Sequence, residues 1–144
     1  MDDISNGMKT IIISRMIKVP RERIWKALVT PDQIRQYNQT SEGWTMPLVE
    51  VDAQIGGKLR IGFGSPDDKN NFEFEATFTE VVVPELYSYA IADGRSVSYT
   101  IEDVGGQTKL TIVFALESQT SEAQQRDGWV AIMNNLAIYV ENNP

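Results

Sequence analysis

Apolar residues along this chain follow two different periods, and the places where the period changes mark out its elements. Lys9 to Ile17 is rich in β-branched residues and predicts a first strand. Pro20 then stands where a helix's first turn tolerates a missing N–H, and Ile24, Trp25 and Leu28 follow at helical spacing. Thr30 and Gln33 have the spacing of a capping box and open a second short helix. Asn38 to Met46 is polar and turn-rich, interrupted by Trp44. Beyond it the period becomes two. Pro47 to Asp52, Lys58 to Gly64, Asn71 to Val83, Glu85 to Ala92, Arg95 to Ile101 and Thr108 to Glu117 each predict a strand. The clearest alternation sets Phe72, Phe74, Ala76 and Phe78 against Glu73, Glu75, Thr77 and Thr79, which implies one covered and one wet face.

The links between these strands are hairpin material: Gly56-Gly57, Ser65 to Asp68, Asp93-Gly94 and Gly105-Gly106. Links this short force antiparallel neighbours, because a parallel pair needs a crossover of about a dozen residues. Ser121 and Gln124 form a second capping box, and Trp129, Ile132, Met133, Leu136, Tyr139 and Val140 then trace one apolar stripe. The predicted class is α+β: a curved seven-stranded antiparallel sheet, two short helices after the first strand and a long C-terminal helix. The sheet's apolar face needs a cover, and the last helix is the longest one available. A single helix leaves part of a strongly curved sheet unfilled, so a cavity between the two is expected.

Bulk properties narrow the chemistry. The chain has 144 residues, 42% hydrophobic and 23% charged, enough for one domain with a true core. Residues 1–8 read as a flexible leader and 9–144 as a single domain. Cysteine and histidine are both missing, which removes disulfides, thiol catalysis, the commonest metal ligands and the usual general base. The remaining carboxylates are scattered, so no metal site, no cofactor and no catalytic residue is assigned. A net charge of −7 disfavours nucleic acid as a partner. The start Met1 to Gly7 is acidic and polar, unlike a signal peptide, and no apolar run approaches the roughly 20 residues of a membrane span. The expected location is the cytoplasm.

Several local motifs resemble one family, in its order. They are Val19 to Asp32 (VPRERIWKALVTPD), Gly56 to Arg60 (GGKLR), Val83 to Tyr89 (VPELYSY), Gly106 to Thr111 (GQTKLT) and Gly128-Trp129 leading into the final helix. Together they resemble the START-like superfamily, also called SRPBCC, which includes the birch-pollen allergen and polyketide cyclases. More narrowly they resemble the activator of heat-shock-protein-90 ATPase homologue family. The chain departs from that family at Gln36-Tyr37-Asn38, where members often carry tryptophans. The resemblance implies a helix-grip fold with an internal cavity and a hydrophobic small-molecule ligand. The family name alone implies a second class of partner, a chaperone-type protein, and the superfamily a third reading, a cyclase or hydrolase.

The candidate cavity lining is Trp44, Met46, Phe63, Phe74, Tyr89, Tyr99, Trp129 and Met133, each weighed against plain core filling. Trp44 sits in a polar loop, placed either to gate a cavity mouth or to plug the core. Tyr87, Tyr89 and Tyr99 fall on neighbouring strands, and a buried tyrosine hydroxyl needs a partner. Glu73 and Glu75 are spaced like a carboxylate pair, yet they alternate with phenylalanines and read as a solvated face, as does Arg60. Gly56-Gly57 reads as a bend, since no phosphate-loop pattern accompanies it. A non-catalytic small-molecule binding module is therefore the leading expectation, followed by a protein-binding module and then an enzyme.

Overall fold

The computed structural model describes residues 9–38 and 43–144, so the predicted leader at 1–8 lies outside the described residues. Strand β1 (Thr10–Ile17) is followed by helices α1 (Arg21–Val29) and α2 (Pro31–Tyr37). Six strands come next: β2 (Thr45–Val51), β3 (Lys58–Gly64), β4 (Phe72–Val82), β5 (Leu86–Ile91), β6 (Ser96–Val104) and β7 (Gln107–Ala115). Helix α3 (Glu122–Asn142) ends the order. The seven strands form one sheet in the order β1-β7-β6-β5-β4-β3-β2, and every pair is antiparallel. This is the α+β architecture expected from the pattern, and the helix-grip fold that the resemblance implies.

The meander from β2 to β7 follows from its short links, and β1 is recovered at the end, where Ile11 pairs with Phe114 and Ile17 with Thr108. Two irregularities bend the sheet. Register slips in β2 between Thr45 and Leu48, and in β4 between Phe78 and Glu80. The slip in β4 inserts Thr79, so the inward alternation Phe74, Ala76, Phe78 resumes at Val81 instead of Glu80. Gly57 is required by a close approach: a Cβ there would stand 2.0 Å from the Asp52 carbonyl oxygen. Its own carbonyl accepts from the Phe78 N–H at 2.9 Å, tying the β2–β3 hairpin to β4.

Most predicted boundaries hold to within three residues. Strand β2 starts earlier than expected, at Thr45, which places Met46 in a strand and not in the loop. Strand β6 runs on to Val104. Thr30 does not cap α2 with its side chain; its hydroxyl donates back to the Lys26 carbonyl at the end of α1. Ser121 does cap α3, accepting from the Gln124 N–H at 3.1 Å.

The core lies between the inner sheet face and the helices. Phe78, Ile101, Leu110, Ile112 and Phe114 from the sheet meet Ile24 of α1 and Leu136 and Val140 of α3, all essentially fully buried. Thr108 is fully buried among them, and its hydroxyl donates to the Val19 carbonyl at 2.7 Å. The outer face is charged, as expected of Arg60, Glu73 and Glu75. Arg60 bridges Glu73 (2.8 Å) and Glu50 (2.9 Å), and Lys58 stands 3.6 Å from Glu75. The cover is shared. The backbone of α3 lies nearest β1 and the two short helices, α1 packs on β6 and β7, and α2 packs on β2.

Candidate functional site

A cavity of about 290 Å³ opens where the two short helices and the N-terminal half of α3 stand over the middle of the sheet. From the sheet it is walled by Leu59, Ile61 and Phe63 of β3, Phe72 and Phe74 of β4, Tyr87 and Tyr89 of β5, and Tyr99 of β6. The helices contribute Leu28, Ile34, Tyr37, Trp129 and Ile132, with Asn38 just past α2. Strand periodicity explains the sheet side, because positions two apart share a face and antiparallel pairing sets Tyr87 opposite Tyr99 and Phe63 opposite Phe72. Helical spacing explains the other wall, because Trp129 and Ile132 are three apart on α3.

The wall is a connected aromatic set. Tyr87 packs at 5.0 Å from Tyr99 and 6.1 Å from Tyr89, measured between ring centroids, and Phe74 meets Tyr89 edge-on at 6.0 Å. Trp129 stacks on Phe114 at 5.2 Å and meets Tyr99 edge-on at 6.4 Å. Phe72 is 55% exposed, stacks on Phe63 at 4.8 Å and marks where the cavity meets solvent. Trp44 lies edge-on against Phe72 at 5.9 Å.

Electrostatically the site is quiet. Among the described residues no charged side chain lines it. Burial pushes the phenols of Tyr37, Tyr87, Tyr89 and Tyr99 up from their ordinary range, and the Tyr99 phenol adds to the rise of the other three. The Tyr37 hydroxyl donates to the Ala27 carbonyl at 3.2 Å. Among the described residues the hydroxyls of Tyr87, Tyr89 and Tyr99 have no hydrogen-bond partner. No group of three or more metal-ligating side chains occurs among the described residues, and no helix is long and apolar enough to cross a membrane.

Of the eight residues proposed from sequence, Phe63, Phe74, Tyr89, Tyr99 and Trp129 stand together on this wall. Three stand elsewhere. Trp44 reaches the rim through Phe72, Met46 is half-buried at the start of β2, and Met133 is buried in the core. Met133 sits one residue past Ile132, about 100° around the helix. It therefore joins the deeper stripe of Leu136, Ala137 and Val140.

Residues 18–141 match the protein family described as Activator of Hsp90 ATPase homolog 1-like protein. The chain belongs to that family. Among solved structures, this AHSA1-like chain is similar to an AHSA1-like protein from Aeromonas hydrophila, with 32% identity over 94% of each chain and a TM-score of 0.84. It is also similar to a protein from Cytophaga hutchinsonii, with 28% identity over 93% of each chain and a TM-score of 0.79. A protein from Chromobacterium violaceum, at 23% identity, covers 92% of this chain and 96% of its own with a TM-score of 0.77, a likeness of fold alone. No curated protein matches the chain.

Sequence reasoning left several lining residues off its candidate set. Tyr87 had a signal, since it shares strand parity with Tyr89, and Ile61 shares it with Phe63. Tyr37 and Leu28 had only their places on short helices, and nothing in the chain says how those helices tilt over the sheet.

Proposed function

We propose that residues 9–144 act as one non-catalytic binding domain of the cytoplasm that holds an apolar or aromatic small molecule between the sheet and α3. The observation that carries this reading is the cavity of about 290 Å³, walled by aromatic and aliphatic side chains with no charged group among the described residues. That volume lies at the small end of the ~300–1,000 Å³ usual for ligand sites. Missing histidine and cysteine, and the lack of a carboxylate among the described wall residues, support binding over catalysis.

N-phenylnaphthylamine, an uncharged dye that brightens in apolar surroundings, tests the reading directly. Titration should give a saturable, one-to-one rise in fluorescence. Ile132→Trp, which adds volume at a lining position, should weaken it at least tenfold while the protein melts as a folded chain. A dye signal that is unsaturable, or unchanged in Ile132→Trp, would remove the cavity as the binding site. The family's description supports a second reading, a chaperone-associated protein-binding module. With a net charge of −7, such a complex would form with a basic surface and weaken with salt.

A further inference from the structure

Three tyrosines line the cavity, and their hydroxyls have nothing among the described residues to bond to. Tyr87, Tyr89 and Tyr99 are 5%, 4% and 6% exposed, all three line the same space, and none has a hydrogen-bond partner among the described residues. Buried polar groups are almost always hydrogen-bonded, so three hydroxyls on one wall with no partner among the described residues call for a partner beyond those residues. Packing does not require them, because phenylalanine offers the same ring.

The chemistry of that partner follows from the donors. A phenol gives its proton more readily than it accepts one, since the oxygen lone pair is drawn into the ring. Burial holds all three phenols protonated well past neutral pH, so they remain donors. Their complement is an acceptor. Its charge is set by what surrounds it. Among the described residues no lysine or arginine lines the cavity, and the cation whose field reaches Tyr89, Arg95, is already held 2.7 Å from Asp93. A carboxylate would lose its water without gaining a counter-charge, and an ammonium would lose its own with no carboxylate among the described lining residues to pair with.

Resting on the cavity reading above, we infer that the ligand is an uncharged, mainly apolar molecule that presents oxygen acceptor groups to the hydroxyls of Tyr87, Tyr89 and Tyr99. The aromatic wall takes the apolar body and the three hydroxyls fix its orientation. Specificity then comes from the acceptor, because a site built around hydrogen bonds rejects an analogue that leaves its buried donors unpaired.

Four naphthalenes that differ in one substituent test this by calorimetry or competition with the dye. The substituents are acetyl, ethyl, carboxylate and protonated aminoethyl. The acetyl compound should bind about tenfold tighter than the other three. Tyr89→Phe and Tyr99→Phe should each lower acetyl affinity by about three- to tenfold and leave ethyl affinity unchanged, with melts confirming that both variants fold. Tyr139→Phe, off the cavity wall, should change neither. Equal binding of acetyl and ethyl compounds, or tightest binding of a charged one, would overturn the tyrosine assignment and leave the cavity reading standing. Failure of all four to bind the wild-type protein would overturn both.

Discussion

A phenylalanine at position 87, 89 or 99 would fill nearly the same volume as the tyrosine there and would bring no hydroxyl to desolvate. Each phenol therefore carries a linkage to pH as well as a contact. Tyr37, Tyr87, Tyr89 and Tyr99 all have their ionisation raised from the ordinary 10.0, with burial as the largest cause. In the unfolded chain these phenols lose their protons near the ordinary value, whereas in the folded protein they keep them. Above that pH the native state binds more protons than the unfolded state, so stability falls as pH rises. The contribution is complete below pH 10.0 and is lost progressively above it. A titration followed by phenolate absorbance and circular dichroism should show these four ionising together with unfolding. Smooth ionisation with the fold intact would mean the phenols reach solvent. This wall was partly legible in the sequence. Strand parity singles out Tyr87, Tyr89 and Tyr99, but their bareness is not readable, because the sequence does not say which loops or waters lie opposite a hydroxyl.

Among the elements, α3 was the most legible and still held one surprise. Its start is written in Ser121 and Gln124, and its buried stripe of Met133, Leu136, Ala137 and Val140 is spaced at three and four residues. The apolar face is wider than one stripe, however. Trp129 and Ile132 occupy the flank that borders the cavity, while Met133 is 4% exposed in the core. Periodicity locates the face of a helix but not how that face divides between core and cavity, which depends on its tilt over the sheet. Strand β4 shows the same limit, since the Thr79 insertion has no composition signal and yet changes which residues point inward. The stripe itself can be tested. Leu136, 1% exposed, should cost about 2–5 kcal/mol when replaced by alanine. Asn135, exposed beside it, should change stability by less than about 0.5 kcal/mol on the same substitution. Chemical denaturation curves for the two variants provide the measure, and equal destabilisation would contradict the packing of α3.

At the scale of the whole molecule, the cavity is where the elements are least committed to one another. Its wall draws on α1, α2, α3 and four strands, so its occupant would touch most of the elements and none of the gap would close without shifting several of them. Element order and hairpin links made this architecture readable from the chain. The cavity's volume is not so readable, because it is the small difference between a curved sheet and three helices whose separations no local pattern encodes. On the proposed reading, that arrangement would make a bound molecule a stabiliser of the entire cooperative unit. A molecule that binds only the folded state raises stability by RT ln(1 + [L]/Kd), about 2.7 kcal/mol at a hundredfold excess over Kd. With N-phenylnaphthylamine at that excess, the denaturation midpoint should rise accordingly, the slope of the transition should stay unchanged and the transition should stay single. Ile132→Trp should show no such rise. If the dye saturates with full brightness and the midpoint does not move, it is binding the unfolded chain equally well, and the enclosed site is not what holds it.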